Sequence, residues 1–413
     1  TRLVGSEMCI RDRITYTEAL SRLLEKAEPI ADTETIPLLY STHRVLAEEI
    51  VSPIAVPSWD NSQMDGYAVR HEDLFGATEE NPVKLPVSAR IPAGNVGDKL
   101  EAGTVARIFT GAPMPEDADT VIPQELVERE GDFAIFRTAL KPGAWVRRRG
   151  SDVEQGATVL ASGERLTPAR IGMIASIGRA YVKVYRRLRV GIFFSGNELV
   201  QPGEPLPPGG IYNSNRFMVR SLLQTLGCEV VDLGNVPDTL DATIAAFEKA
   251  TQASDVILST GGMSVGEEDH IKNAVEALGE ISLWRVKLKP GKPLAFGSVK
   301  GVPFVGCPGN PVAGFVVFLM MARPFLLRRM GLTDTEIHPL SVRADFDWET
   351  PGDRQEFVRV RRNATGGVDL YHTQNSQVLS SCAWADGLVD IPVGATVKKG
   401  DVVDYYPFCQ FFA

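Results

Sequence analysis

A chain of 413 residues is too long for one compact core, so two to four domains are expected. Its 44% hydrophobic and 23% charged content is that of an ordinary globular protein. A net charge of −9 and a pI near 5.3 argue against nucleic acid as the main partner, because no basic face is there to neutralise phosphates; any anionic ligand must be drawn in by a local site. The short basic runs Arg147–Arg149 and Arg359–Arg362 read as solvated surface.

The five cysteines (Cys9, Cys228, Cys307, Cys382, Cys409) are scattered and show neither a disulfide framework nor zinc-ligand spacing, which fits a reducing, cytoplasmic setting. Cys228 and Cys307, in apolar surroundings, are expected in the core. The longest apolar stretch, Val312 to Met321, is too short to span a bilayer, so no membrane association is expected. Thr1–Arg13 has no hydrophobic core or amphipathic period; it is expected to be a disordered leader outside the fold.

In chain order, Thr15-Tyr16-Thr17-Glu18 is a capping-box pattern opening a helix with apolar positions at Ala19, Leu20, Leu23, Leu24 and Ala27. A second short helix is expected over Leu38–Glu49, ended by Pro53 and Pro57. The polar, turn-rich loop Ser58–Tyr67 follows and becomes a strand at Ala68-Val69; long irregular loops of this kind more often carry function. Short strands are expected at Val83–Val87, Val105–Ile108, Thr120–Pro123 and Phe133–Phe136, forming a small β-domain that contains the rigid turn Thr110–Pro115. Arg147–Gly156 is a charged loop. A helix then starts at Pro168, capped by Thr167; if it packs on the first helix, the β-domain is an insertion into a helical unit.

Beyond Arg186 the texture changes to alternating β and α. Strands are expected at Val190–Phe194, Glu229–Leu233, Asp255–Leu258 and Val302–Val305, the first three joined by helices at Ser214–Leu226, Leu240–Ala250 and Asp269–Leu278. That pattern means a three-layer sheet with parallel crossovers, whose ligands sit at the carboxyl ends of the strands. Those ends are Ser195–Glu198, Gly234–Asp238, Ser259–Asp269 and Cys307–Pro311, all rich in Gly, Pro and polar residues. The stretch from Ser259 to Pro293 combines a Gly261-Gly262 turn, the acids Glu267, Glu268 and Asp269, and the bases Arg285, Lys287, Lys289 and Lys292. A turn able to present N–H groups, carboxylates and a lysine cluster together suggest a phosphate ligand plus a divalent cation. A mostly covered helix, Val312–Met330, and a last β-domain with strands at Leu340–Ala344, Glu356–Val360, Asp369–Tyr371 and Val402–Tyr405 complete the chain.

The ordered set Asp60–Ala68 (DNSQMDGYA), Thr110–Pro113 (TGAP), Gly191–Leu199 (GIFFSGNEL), Ser259–Asp269, Lys289–Pro293 (KPGKP) and Pro308–Val312 (PGNPV) resembles the MoeA-type molybdopterin molybdenumtransferases, the family of the gephyrin E domain. The resemblance implies a multi-domain α/β plus β protein. Its parts would be a helical linking region (14–52 and 141–186), an inserted β-domain (53–140), a molybdopterin-binding α/β domain (187–331) and a C-terminal β-barrel (332–413). It also implies a homodimer with sites between subunits, and transient contact with the adenylyltransferase and with molybdoenzyme apoproteins. The implied reaction inserts molybdenum from molybdate into adenylylated molybdopterin and releases AMP with help from Mg²⁺.

By the same resemblance the site carboxylates are Asp65, Asp152, Glu198, Asp238 and Asp269, with Glu198, Asp238 and Asp269 as metal ligands. Arg285 and Lys289 would grip molybdate, a tetrahedral oxo-dianion best held by fixed positive charge and N–H donors. Lys292 would add to the field, and Arg359 and Ser376 of the last domain are further candidates. Gly261, Gly262 and Ser264 would cradle the phosphate, Thr110 and Ser195 would line the substrate site, and Pro308 with Pro311 would shape the pterin side. Read without the resemblance, Asp152 fits a turn, Asp238 an N-cap before Leu240, Ser376 a loop hydroxyl, and His270, lacking a second histidine, a bystander. Two other functions share such a fold: a molybdopterin adenylyltransferase, and a non-catalytic scaffold. The flanking β-domains count against the first, and retained charge of both signs counts against the second.

Overall fold

The computed structural model describes residues 14–261, 270–291 and 293–412. Its central unit is a six-stranded sheet in the spatial order Glu229–Val236, Arg189–Ser195, Val256–Thr260, Val302–Cys307, Pro293–Val299, Gly279–Arg285. The first four are parallel, as their alternation with helices requires. The last two form an antiparallel edge that the sequence pattern did not announce.

Both faces of this sheet are covered. Val190, Ile192 and Phe194 point into one core with helix Ser214–Leu226 and the long helix that begins at Pro311. Phe193 points into the other, stacked edge-on with Phe247 and, through it, Phe304, at centroid separations of 5.0 Å. Gly191 shares that second face: a Cβ there would lie 2.5 Å from Ser254 Oγ, so glycine lets helix Leu240–Ala253 close onto the strand. The chain leaves Arg189–Ser195 for the outer strand Glu229–Val236 and returns on the other side at Val256–Thr260. The loops therefore part at the carboxyl end of Arg189–Ser195, where open α/β sheets form their ligand crevice.

The long helix runs as Pro311–Val317, a π-turn Phe318–Ala322, and Arg323–Arg329. Pro324 explains the irregularity: without an N–H it cannot bond the Met320 carbonyl, and its ring crowds the preceding turn. The Tyr16 hydroxyl donates to that carbonyl instead, at 3.3 Å. Pro311–Arg329 is long and apolar enough to cross a bilayer, but 89% of its apolar window is buried inside the protein; it is the spine of the core.

The linking region corrects one expectation. Thr15 does cap helix Tyr16–Glu25, its hydroxyl accepting from the Glu18 N–H at 3.2 Å. Leu38–Glu49, however, is not a helix. Strand Thr33–Pro37 pairs with Tyr181–Tyr185, Leu38–Tyr40 is a single 3₁₀ turn, and Val45 and Leu46 make β-bridges to Arg165 and Val184. The left-handed His43 (φ 61°) and these cross-chain pairings interrupt the period a helix would need. The first helix packs on the spine, whereas helix Pro168–Ser176 sits in a separate core with Leu46, Ile50, Leu166 and Val184. The inserted character of the β-domain thus rests on strand pairing: Ile50–Val51 with Thr158–Leu160, and a bridge from Val56 to Val153, mark where the chain leaves and returns. The Asp255 carboxylate ties this region to the base of the sheet. Burial would raise it, but bonds from Arg186 (2.9 Å) and Arg189 (3.1 Å) hold it down at about 2.

The inserted domain is a six-stranded sheet ordered Thr120–Pro123, Gly66–Val69, Val105–Ile108, Val83–Ile91, Phe133–Phe136, Val127–Glu130. In the last domain, Gln355–Arg362, Gly367–Leu370, Leu340–Ala344, Val402–Pro407 and Gly387–Ile391 pair in that order. The last pairs back with the first, which closes a five-stranded barrel. On its strand Gln355–Arg362, Arg359 is buried on the face away from the barrel core, contrary to its expected place on a solvated basic run.

Candidate functional site

A cleft of about 1090 Å³ opens at the carboxyl ends of three sheet strands: Ser195, Thr260–Gly261 and Pro308–Pro311 form its floor. The turn Lys289–Gly291 and, from the barrel, Arg354 and Gln374–Gln377 form one wall; Glu198, Tyr212 and Asn213–Asn215 form another. Two helix N-termini face it, Ser214–Leu226 capped by Asn213 (accepting from Arg216 N–H, 3.0 Å) and the helix that begins at Pro311. Each turns the positive end of its dipole to the cleft; of the first N–H groups, that of Arg216 is taken by Asn213 and that of Val312 by Ser376 O. With Lys289 and Arg354 they make a local cationic field in a chain of net charge −9, the electrostatics an oxyanion or pyrophosphate requires.

Polar side chains fix the floor. Asn215 Nδ2 donates to Gly309 O (2.7 Å) and Thr260 Oγ1 (3.3 Å), and so joins one helix end to the loops after two strands. Asn213 Nδ2 donates to Asn235 Oδ1 (2.6 Å), and Asn235 Nδ2 to Leu199 O (3.0 Å). Gly261 has φ +90°, and a Cβ on it would stand 2.9 Å from Ser195 O; a side chain there would meet strain and backbone together.

Ser195 Oγ donates to Asp238 Oδ1 at 2.8 Å, and the Asp238 N–H donates to Asn197 Oδ1 at 3.2 Å. Helix Leu240–Ala253 is capped by Thr239, whose hydroxyl accepts from Ala242 N–H, so Asp238 is not the cap and its carboxylate is turned to Ser195. Ser376 is held between domains: its hydroxyl accepts from Asn310 Nδ2 (3.2 Å) and its carbonyl from Val312 N–H (3.1 Å). Lys289 Nζ lies 2.9 Å from Glu356, a buried barrel carboxylate.

Of the expected residues, Ser195, Glu198, Gly261, Lys289, Pro308, Pro311 and Ser376 line this cleft and Asp238 adjoins it through Ser195. Gly262, Ser264, Asp269 and Lys292 lie outside the described residues. Arg285 ends the edge strand Gly279–Arg285, paired with Pro293. Arg359 does not line the cleft: its guanidinium donates to Ser381 Oγ (3.2 Å) and to Asn375 O (3.4 Å), bracing the 374–377 wall from behind, and burial lowers it to about 10. Among the described residues no group of three or more His, Cys, Asp or Glu side chains is placed to hold a metal; His270 simply begins helix His270–Leu278.

Asp65, Thr110 and Asp152 are elsewhere, on the inserted domain and its exit loop. The Thr110 N–H and hydroxyl both donate to Asp65 Oδ1 (2.8 Å each) and hold that carboxyl below its usual range. Slight burial opposes the same effect at Asp60, but Arg149 N–H (2.7 Å) and Arg148 Nη1 (2.6 Å) lower it. Asp152 occupies a turn, its N–H donating to Val56 O (3.0 Å). Sequence reasoning missed Asn213, Asn215, Asn310, Arg354 and Gln374. The cap signal Asn213-Ser214 ahead of an expected helix could have found the first two.

Three family models cover the chain: MoeA N-terminal region (domain I and II) over residues 14–178, probable molybdopterin binding domain over 191–328, and MoeA C-terminal region (domain IV) over 341–408. A molybdopterin molybdenumtransferase of Haemophilus influenzae is 42% identical over 96% of this chain and 98% of its own length. Molybdopterin molybdenumtransferase 2 of Mycobacterium tuberculosis is 36% identical over 91% of this chain and 94% of its own. A crystal structure of the molybdopterin biosynthesis MoeA protein from Pyrococcus horikoshii, 30% identical, superposes with a TM-score of 0.85 over 96% of this chain and all of that one. The chain belongs to the MoeA-type molybdopterin molybdenumtransferase family.

Proposed function

We propose that this chain is a working molybdopterin molybdenumtransferase: it binds adenylylated molybdopterin and molybdate, places the metal on the dithiolene sulfurs and releases AMP. The observation that carries this is the cleft, where two helix N-termini, Lys289 and Glu198 surround a floor of Gly, Pro and Asn that Asp238 adjoins through Ser195. The cationic features suit molybdate and the pyrophosphate. Pro308 and Pro311 on the floor and Tyr212 on a wall offer apolar surface to the pterin, and the Asn and Gln amides offer partners for its polar edge.

The donor set also fits Mg²⁺. Glu198, Asp238 and Ser195 supply hard oxygens; among the described residues no Cys or His side chain lines the cleft, and too few carboxylates converge for a full protein cage. An ion held by Glu198 and Asp238, with Asp269 as the third ligand expected from the family, would complete its shell with water and phosphate oxygens. Bound there, Mg²⁺ supplies neutralisation of the pyrophosphate charge. The chain's own task is positioning: it needs no side-chain nucleophile, because aligning a molybdate oxygen or water against the phosphoanhydride in a charge-matched cleft suffices.

Asp65, Thr110 and Asp152 do not line this cleft, and their place in the reaction is assigned through a homodimer, in which one copy's inserted domain meets the other's cleft. The buried thiols of Cys228, Cys307 and Cys382 suit the reducing cytoplasm as the place of action. The test supplies purified protein with adenylylated molybdopterin and molybdate or tungstate, with and without Mg²⁺. Metal insertion with AMP release, lost on removing Mg²⁺, is expected. An adenylylated product from ATP and metal-free molybdopterin would favour the adenylyltransferase instead, and no turnover in either assay would favour a scaffold.

A further inference from the structure

Lys289, one of the cations on the cleft wall, is already engaged with a carboxylate. Lys289 Nζ sits 2.9 Å from the Glu356 carboxylate, which is 6% exposed, while the lysine side chain is 41% exposed. The two residues belong to different units. Lys289 ends the short strand Leu288–Lys289, which pairs in parallel with Gln355 and Glu356 of the barrel, so the backbone register itself delivers the carboxylate to the lysine. Behind the ammonium the Trp348 ring lies with its centroid 5.9 Å away. A buried carboxylate needs this partner, whereas a half-exposed ammonium does not need the carboxylate. The pair is therefore asymmetric: Lys289 can turn towards an anion in the cleft, and Glu356 stays where it is.

We propose that Glu356 is a positioning residue acting through Lys289: its carboxylate holds the ammonium at the cleft wall and competes with the incoming oxo-dianion for it, which keeps oxyanion binding weak enough for transfer. This rests on Lys289 being the oxyanion-binding cation proposed above. The reason for such a competitor is kinetic. Gripping molybdate more tightly before the reaction lowers KM without raising kcat, and the dianion must leave Lys289 to reach the dithiolene. A fixed negative charge a few ångströms from the lysine weakens the ground-state grip on the anion.

The test measures molybdate binding to the full-length protein by calorimetry, and insertion kinetics, for wild type, Glu356→Gln and the double variant Glu356→Gln/Lys289→Gln. The double variant strands no buried charge. Glu356→Gln is expected to tighten molybdate binding about three- to tenfold, less so as salt is raised, while kcat falls. A merely structural role for Glu356 would not lower KM while lowering kcat. The double variant is expected to bind molybdate at least tenfold more weakly than wild type. Unchanged or weaker binding in Glu356→Gln, with binding lost in the double variant, overturns the role of Glu356 alone. Wild-type binding in the double variant overturns the assignment of Lys289, and the inference with it.

Discussion

The two β-domains flank the same α/β core but meet its cleft in opposite ways. The barrel is fused to it: Gln374–Gln377 form part of the wall, Ser376 bonds to Asn310 and Val312, and Lys289 pairs with Glu356. The inserted sheet is joined to the linking region through two-residue ribbons such as Ile50–Val51, and none of its residues lines the cleft. Their carboxylates differ accordingly. Asp238 shares one bond with Ser195 at the cleft's edge, whereas Asp60 and Asp65 are already satisfied by N–H, hydroxyl and guanidinium donors on an open surface. A pre-ordered anionic loop that does not line the cleft is suited to complete a site that another surface brings to it.

That contrast can be sharpened by substitution. Removing a cleft carboxylate by Glu198→Gln or Asp238→Asn is expected to lower the insertion rate about 10²- to 10³-fold, the usual cost of losing one preorganised electrostatic contact, as read in steady-state turnover. The spine shared by barrel and sheet predicts the largest stability effect: Phe325→Ala, at a fully buried position, should cost about 3–5 kcal/mol in denaturant unfolding.

On the barrel strand Gly387–Ile391, burial pushes the Asp390 carboxyl up to about 6; the Gln355 bond opposes this and the facing Asp404 adds to it. A raised carboxyl pKa means the folded state holds its proton longer than the unfolded one, so this group's contribution to stability falls as pH rises from about 4 to 6 and stays low above. Asp390→Asn should flatten that slope and raise stability near pH 7.5 by about 1–3 kcal/mol, measured by thermal unfolding across pH. The exposed Arg148–Asp60 pair on the inserted domain predicts the smallest effect: Arg148→Ala should change stability by about 0–1 kcal/mol, since exposed ion pairs are screened.

The four parallel strands of the α/β core were legible because each is a short apolar run bounded by Gly and polar residues; Val256–Thr260, buried throughout, is the clearest. Gly387–Ile391 was not, because Asp390 interrupts its apolar run. Leu38–Glu49 misled because it holds only one 3₁₀ turn, Leu38–Tyr40, followed by β-bridges at Val45 and Leu46 whose partners lie far along the chain. In the site, loop composition pointed to Ser195, Glu198, Gly261 and the Pro308–Pro311 turn. The pairings Ser195–Asp238, Asn215–Gly309 and Lys289–Glu356 join residues that only the folded sheet brings together, and no local pattern encodes them.

The composite site is tested most directly by subunit mixing. Asp65→Asn alters the inserted domain, and Asp269→Asn alters the cleft side by family position; each alone is expected to abolish Mg²⁺-dependent insertion. If the site is shared between copies of a two-fold dimer, co-assembling equal amounts of the two inactive variants leaves one intact site in half of the dimers and restores about a quarter of wild-type activity. Mixtures that form heterodimers yet stay inactive, or an Asp65→Asn variant that turns over normally, would contradict it.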